Sequence, residues 1–325
     1  MSVVMQILRT GGSVAFAKVP AQVAPSASSS SSNCLKQLLF NGNNKLARFV
    51  GGTKNVDKAL KLTKSVSEVV QASLEVSGDA GIAHATAKNI AGGVGTARSF
   101  IALTNAFNGA LPGCIRSTKE CFSHVKQCFG PSEGMEAAFA NSKTPKAYNK
   151  IYLNKRDHIL AAVREGCSAV GSATFLATFG AVRPVLLANK LSGKQFLCSD
   201  AKTQLNNSVT YMMTANHAAS VIGSAVGIAA ERIAYERAIS SLGHSSEAYG
   251  WSVENRLDVE ASLKQSYISE VKKAVLTILE KGLELIADIV KLVPTGLSAA
   301  GQMIVTSSLV TVSSCVGLYC AWSKS

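Results

Sequence analysis

Beyond residue 55 the apolar side chains recur with the period of an α-helix. Over 56–74 they form one stripe while most of the lysines fall on the other side, which predicts an amphipathic helix. A second helical stretch covers about 84–108, and the Pro112-Gly113 pair predicts a turn before a third helix over 114–129. No stretch alternates polar and apolar residues as a strand does, so the fold class is predicted to be an all-α helical bundle.

Three long stretches farther along the chain carry no charged residue: 17 residues at 166–182, 27 at 204–230 and 32 at 292–323. A helix needs about 20 residues to cross ~30 Å of hydrocarbon, so the second and third are long enough. The first suffices only if the Arg183 side chain extends to the lipid–water interface and the apolar residues after it complete the crossing. All three are therefore candidate transmembrane helices.

Polar and aromatic residues in these stretches have predicted places. Asn216 and His217 lie near the middle of the second, where they are costly in lipid unless they face another helix or a cavity, so they are predicted to form a polar pair within a membrane or a core. Tyr319, Trp322 and Lys324 end the third, where aromatic and cationic side chains anchor a helix at the interface. With Arg183 they are the predicted interfacial anchors.

The first two apolar stretches are predicted to form a helical hairpin over 165–232. Gly223 and Gly227 make a GxxxG pair in its second arm, which is a close-packing face for another helix and would also allow homo-oligomers. The pattern fits a hairpin inserted in a bilayer and equally a hairpin that forms the apolar core of a soluble bundle. Composition alone leaves both open, because Ala, Ser, Gly and Thr contribute little insertion energy.

The stretch 267–292 differs, because an apolar stripe and a charged face run along it. Four charges between 280 and 288 would cost about 10 kcal/mol at the centre of a bilayer, so this helix is predicted not to span. Its apolar stripe is expected to pack on neighbouring helices, to lie in an interface or to pair with a partner helix. Glu280, Glu284 and Asp288 share the other face, where solvent exposure or lateral pairing is expected.

Composition and charge narrow the class of partner. Apolar residues make up 47% of the chain, aromatic residues 6% and charged residues 16%, which is few charges for a soluble domain. The net charge of +13 is concentrated in residues 1–164, which hold 20 Lys/Arg against 8 Asp/Glu. These cations have no interleaved aromatic residues and belong to no nucleic-acid module, so the predicted partner is an anionic membrane surface, or the basic face is merely solvated.

Low-complexity and polar segments divide the chain. Residues 25–33 are almost all Ser, Pro and Ala, so 1–33 are predicted to be a disordered, secretion-competent tail. The eight Cys contain no CxxC pair and are expected to be reduced and buried as small apolar residues. The predicted divisions after the tail are a basic helical region at 34–130, a basic linker at 131–164, the hairpin at 165–232, and an amphipathic helix plus a C-terminal apolar helix at 233–325.

Candidate chemistry is sparse. Cys114, Cys121 and Cys128 fall at heptad spacing with His124 between the last two, but a structural metal site usually needs four ligands and no fourth is evident. Packing is the expected role of this row, and a further role stays open. No phosphate loop, GxSxG or HExxH motif is complete, so no catalytic, cofactor-binding or metal-binding residue is predicted and the chain is not expected to be an enzyme.

Four long strings resemble segments of a known family. They read NAFNGALPG at 105–113, FLATFGAVRPVLLANK at 175–190, TANHAASVIG at 214–223 and TILEKGLELIADIVKLVP at 277–294. They are similar, in the same order, to segments of the chlamydial class I accessible proteins, and weaker similarity at 45–65 extends the resemblance. The likeness is slight in the first 33 residues and around 240–265.

The resemblance implies a protein that an intracellular bacterium secretes through a type III route into the membrane of its vacuole, the inclusion. Part of the chain would face the host cytosol and meet a host protein whose identity the resemblance does not give. The family brings no catalytic residue to this chain. The leading expectation is a non-enzymatic virulence protein of the inclusion membrane, and the alternative is a soluble secreted helical-bundle effector whose apolar hairpin is its core.

Overall fold

The computed structural model describes residues 52–79, 81–129, 155–193, 195–248 and 253–324, together with Phe49. All regular secondary structure in these residues is helical, which confirms the all-α prediction. The predicted tail at 1–33 and the part of the predicted linker at 131–154 lie outside the described residues.

Eight α-helices and two short π-helical segments make up the described fold. The π-helical segments Ala106–Ala110 and Ala177–Val182 join α2 to α3 and α4 to α5 without a break, so each of these pairs is one continuous rod. In chain order the α-helices are α1 (Thr53–Val76), α2 (Ile82–Asn105), α3 (Leu111–Phe129), α4 (Lys155–Leu176), α5 (Arg183–Leu191), α6 (Ser199–Ala248), α7 (Val253–Leu292) and α8 (Ala299–Lys324).

The two π-helical segments each precede a proline. Proline lacks an N–H group, and its ring clashes with the carbonyl one turn earlier in a regular α-helix. Pro112 and Pro184 each stand two residues after the last residue of a π-helical segment, where the hydrogen bonding already departs from the α-helical pattern. The chain therefore remains helical through both prolines, and the turn predicted at Pro112-Gly113 is wrong.

Within the described residues, six rods pack as a closed ring. They are α1, the α2–α3 rod, the α4–α5 rod, α6, α7 and α8. Each rod lies between two others: α1 between the α2–α3 rod and α8, α7 between α8 and α6, and the α4–α5 rod between α6 and the α2–α3 rod. Short connections between successive helices suit an antiparallel arrangement of this kind.

The predicted hairpin is present as the antiparallel pair of the α4–α5 rod and α6, but its bounds are wider than predicted. Asn216 of α6 meets Gly171 of α4, and Arg237 farther along α6 meets Asp157 near the start of α4. The predicted boundaries at 164/165 and 232/233 fall inside α4 and α6. Both helices continue into charged sequence, where a boundary placed on hydrophobicity alone stops too early.

Small residues form the contacts between the rods. Of the 14 buried apolar residues in the described part of the chain, 11 are alanine, and the largest fully buried side chains there are those of Thr178, Ser65, Ser117 and Ser313. Large apolar side chains lie on the outside, among them Phe100, Ile115, Val170, Ile222 and Val312. Soluble proteins bury Leu, Ile, Val and Phe preferentially, whereas small residues at helix contacts are typical of membrane bundles.

Helix α7 has the opposite orientation from the one its pattern predicts. The apolar stripe faces outward, with Ile286 and Val275 about half exposed at 50% and 49%. Glu280, Glu284 and Asp288 face the interior and are buried, Glu284 to 4% exposure. The prediction that the stripe packs on neighbouring helices is wrong, because small residues and charged pairs make those contacts instead.

Two helices are long and apolar enough to cross a membrane by length and composition: Lys155–Leu191, which is the α4–α5 rod, and Ala299–Ser323 in α8. Only 11% of the most apolar part of the first is buried, and 28% of that of the second. Most residues of each apolar stretch are therefore at least partly exposed in the described structure.

The contact between α4 and α6 generates a test of the packing. A Cβ added at Gly223 would lie 3.1 Å from Cys167 Cβ, an atom that cannot rotate away, whereas a Cβ added at Gly282 of α7 would meet nothing within 4 Å. We expect Gly223→Ala to lower the thermal unfolding midpoint in detergent. The control Gly282→Ala should raise stability by about 0.5–1 kcal/mol, since alanine favours a helix over glycine. An equal rise for both variants would contradict the close α4–α6 contact.

Candidate functional site

The ring of rods surrounds an open cavity of about 1280 Å³ that has both polar and apolar residues in its wall. Residues from all six rods of the described structure line it, and many are charged, including Lys61, Arg98, Arg183, His217 and Glu284. A cavity of this size in a helical bundle is ordinarily lined by apolar side chains. Because its charged lining is unusual for a helical bundle, this cavity is the candidate functional site.

Glu284 of α7 is the centre of the ion-pair network on the cavity wall. Its carboxylate pairs with Lys61 of α1, and Ser313 Oγ of α8 donates a hydrogen bond of 2.8 Å to Oε1. On Oε2 it is met by His217 Nε2 of α6 at 2.7 Å and by Lys281 Nζ at 3.3 Å. Groups from four rods thus surround one buried carboxylate, which ties the rods together at this level.

His217 bridges two carboxylates. Its Nδ1 lies 2.9 Å from Asp288 Oδ2, while Nε2 faces Glu284. Only the Nδ1 contact has hydrogen-bond geometry, so Asp288 is the hydrogen-bond partner of His217 and Glu284 is its neighbour on the other side. Asp288 is also paired with Lys291 at 3.2 Å. The network therefore continues along α7 toward the end of that helix.

A second ion pair joins α1 to α7 one turn away. Lys58 Nζ lies 3.0 Å from Glu280 Oε2 and donates a 3.2 Å hydrogen bond to the Gly317 carbonyl of α8. Of the two roles expected for the acidic face of α7, solvent exposure is wrong and lateral pairing is observed. The charge pattern of α7 does not identify Lys58 and Lys61 as the partners of its acidic face. The excess of cations in the first half of the chain indicates only that basic partners are present there.

A cluster of guanidinium groups lies on another part of the cavity wall. Arg98 of α2 forms a two-point ion pair with Asp57 of α1, at 2.9 and 3.3 Å. Arg183 lines the same cavity, and its buried Nε makes no hydrogen bond with any described residue. Arg183 was predicted to be an interfacial anchor on the outside of a helix. That prediction is wrong, because the Arg183 side chain lies on the inward face of the α4–α5 rod, directly after the π-helical segment Ala177–Val182.

The other predicted packing residues lie at the contact of α4 with α6. Asn216 Nδ2 donates a 2.6 Å hydrogen bond to the Gly171 carbonyl, so Asn216 bonds to α4 while its neighbour His217 faces α7. Added Cβ atoms at Gly223 and Gly227 would face Cys167 and Arg164 of α4, the second only at 4.0 Å. The GxxxG pair is thus occupied by a contact within this chain.

The aromatic residues predicted as interfacial anchors lie at one end of α8. Tyr319 and Trp322 are both exposed, and Lys272 Nζ of α7 lies 5.9 Å from the centre of the Tyr319 ring. The Trp322 ring lies edge-on to Phe49 at 5.6 Å. The side chain of Lys324 lies outside the described part of the structure. Aromatic rings and a lysine thus occupy the outer surface together at this level.

In the cysteine row on α3, Cys121 faces α4, but all three cysteines are only partly buried, so the expected burial of the cysteines is wrong for this row. Cys121 Sγ lies 3.4 Å from the Ala162 carbonyl, and His124 Nδ1 lies 3.2 Å from Nδ1 of the buried His158. Burial lowers the pKa of His124, and the neighbouring His158 lowers it further. In the described part of the chain, no group of three or more His, Cys, Asp or Glu side chains could hold a metal ion.

No protein-family model, no curated protein and no solved structure matches this chain.

The buried network generates a test with a matched control. Glu284→Gln removes the charge that Lys61, Lys281 and His217 share, and breaking a buried pair in this way costs about 3–5 kcal/mol. We expect a marked fall in the thermal unfolding midpoint in detergent, and partial recovery when Lys61→Met is added. Lys273→Met, which breaks an exposed pair with Glu270, should cost under about 1 kcal/mol. Equal effects of Glu284→Gln and Lys273→Met would contradict the buried network.

Proposed function

We propose that this protein is a non-enzymatic, membrane-inserted helical bundle that acts at the boundary between a bacterium and its host cell. The outward position of the large apolar side chains carries the proposal. Water disfavours this much exposed apolar surface, and hydrocarbon tails would cover it at no cost. The ring of rods lies in the bilayer as a unit, and the hairpin of the α4–α5 rod with α6, together with α8, is its membrane anchor.

The dimensions of the apolar surface fit a bilayer. On α7 the outward stripe runs from Ile268 to Ile289, which at 1.5 Å per residue is about 32 Å, close to the ~30 Å of a hydrocarbon core. Tyr319, Trp322 and Lys272 lie at one edge of this stripe, as aromatic and cationic residues do at a membrane interface. The charged side chains of α7 between 280 and 288 line the cavity. The free-energy cost of inserting them into lipid, which argued against a membrane-spanning α7, therefore no longer applies in full.

The ends of three helices form a charged region that we assign to the aqueous phase. It comprises the start of α4, the end of α6 and the start of α7. Arg237 of α6 pairs with Asp157 of α4 at 2.9 Å, and the exposed pair of Arg232 and Glu236 lies on the same part of α6. The exposed pair of Arg232 and Glu236 is stable in water and would be costly in lipid. This end would meet a host protein.

The location in the host cell rests on the resemblance of four strings to the chlamydial class I accessible proteins. It leads us to propose secretion by the type III route and insertion into the inclusion membrane. The soluble alternative needs the apolar hairpin to be the core of the bundle. The outward position of Val170, Val185 and Ile222 in that hairpin argues against it.

A pair of charge substitutions tests insertion. Val170 and Leu257 are both exposed apolar residues, on α4 within the apolar surface and on α7 within the charged region. Arginine at a helix centre costs about 3 kcal/mol in a bilayer, so Val170→Arg should reduce the fraction that floats with liposomes and resists alkaline carbonate. Leu257→Arg should float as the wild type does. Release of the wild-type protein by carbonate, or identical behaviour of both variants, would overturn the proposal.

A further inference from the structure

We infer that the ring of six rods encloses a water-filled passage for small inorganic ions, with a preference for anions such as chloride. This inference rests on the proposed insertion and goes beyond it, because a protein can be anchored in a bilayer without permeating it. Its basis is the polarity of the two sides of the ring. The same helices carry large apolar side chains outward and charged side chains inward.

The lining of the cavity requires water in a membrane. Among its described residues are ten Lys or Arg and eight Asp or Glu, contributed by all six rods. Charged residues within a bilayer are tolerated where they pair with one another or face a water-filled cavity. About 1280 Å³ would hold on the order of 40 water molecules at ~30 Å³ each. Paired charges on the wall and water between them satisfy both conditions.

The distribution of the pairs gives the sign of the preferred ion. The carboxylates at the centre of the network, Glu280, Glu284 and Asp288, are each matched by a cation. Arg183 has a buried Nε with no acceptor among the described residues. It lines the cavity together with Arg98, whose own guanidinium is bound to Asp57. The lining thus carries an excess of positive charge, which favours anions over cations.

Arg183 also has the chemistry of an anion site. A guanidinium group donates several hydrogen bonds in a fixed plane and remains protonated at any physiological pH. A chloride ion at Arg183 would accept from the donor that the chain leaves without a partner. The donor without a partner is a single N–H group, which one small ion can satisfy, so the passage is assigned to small inorganic ions.

Currents across planar bilayers containing the purified full-length protein test this inference. Under a KCl gradient we expect a conductance whose reversal potential lies toward that of chloride. Arg183→Gln should lower the chloride preference by about threefold or more, and Arg183→Lys should retain it. Arg232→Gln is the control, because Arg232 is exposed and lies outside the cavity lining. Far-ultraviolet circular dichroism of each variant in detergent checks that the helices are intact.

Carbonate extraction of liposomes from the same preparation separates failure of the passage from failure of insertion. Protein that resists extraction but gives no conductance would overturn the passage and leave the membrane anchor standing. Protein that carbonate releases would overturn insertion itself. A reversal potential toward that of potassium, or an Arg183→Gln variant with unchanged selectivity and intact helices, would overturn the anion preference.

Discussion

The charged face of α7 constrains the whole arrangement, because carboxylates removed from water must be met by cations or hydrogen-bond donors. Glu280 and Glu284 find those groups on α1, α6 and α8, and one turn later Asp288 finds His217 and Lys291. A helix that turns this face inward must turn its other face outward. The exposed apolar stripe is thus a consequence of the pairing, and the neighbouring helices that supply the partners are held at fixed levels along α7.

The rest of the packing follows from the same constraint. With charged pairs lining the interior, the rods touch one another along narrow seams of Ala, Ser, Thr and Gly, where backbones approach closely. The contact of Gly223 with Cys167 is one such seam. Large apolar side chains have no room in these seams and lie on the outer surface. An interior of ion pairs, thin seams and an apolar outer surface together describe a bundle suited to lipid.

The sequence predicted the helices well and their orientation poorly, for a physical reason. Periodicity reports which residues share a face, so the stripe at 267–292 and the apolar stretches at 166–182 and 204–230 were visible. It does not report which face is inside, because that depends on whether the surroundings are water, lipid or a partner with matching charges. The signal for α7 lay far away in the chain, in the lysines of α1, and only the ring brings the two together.

Local rules failed at the two prolines for a related reason. Pro112 predicts a helix end because a regular α-helix does not tolerate proline in its interior. The π-helical segment Ala106–Ala110 before it changes the hydrogen bonding so that the proline fits. None of its five residues predicts a π-helix by its type. A π-helical segment also precedes Pro184, and the Arg183 side chain that follows it lies on the cavity wall rather than on the outside.

The side of α7 that faces lipid is the most direct test of this account. Nitroxide labels at Val275, Ile286 and Thr277, introduced as cysteines into a protein whose native cysteines are replaced, can be measured in liposomes by their relaxation with oxygen and with a nickel chelate. Val275 and Ile286 lie outside, whereas Thr277 lines the cavity. We expect relaxation dominated by oxygen at Val275 and Ile286, which face lipid, and relaxation dominated by the nickel chelate at Thr277, which faces water. Nickel-dominated relaxation at Val275 and Ile286 would contradict this account.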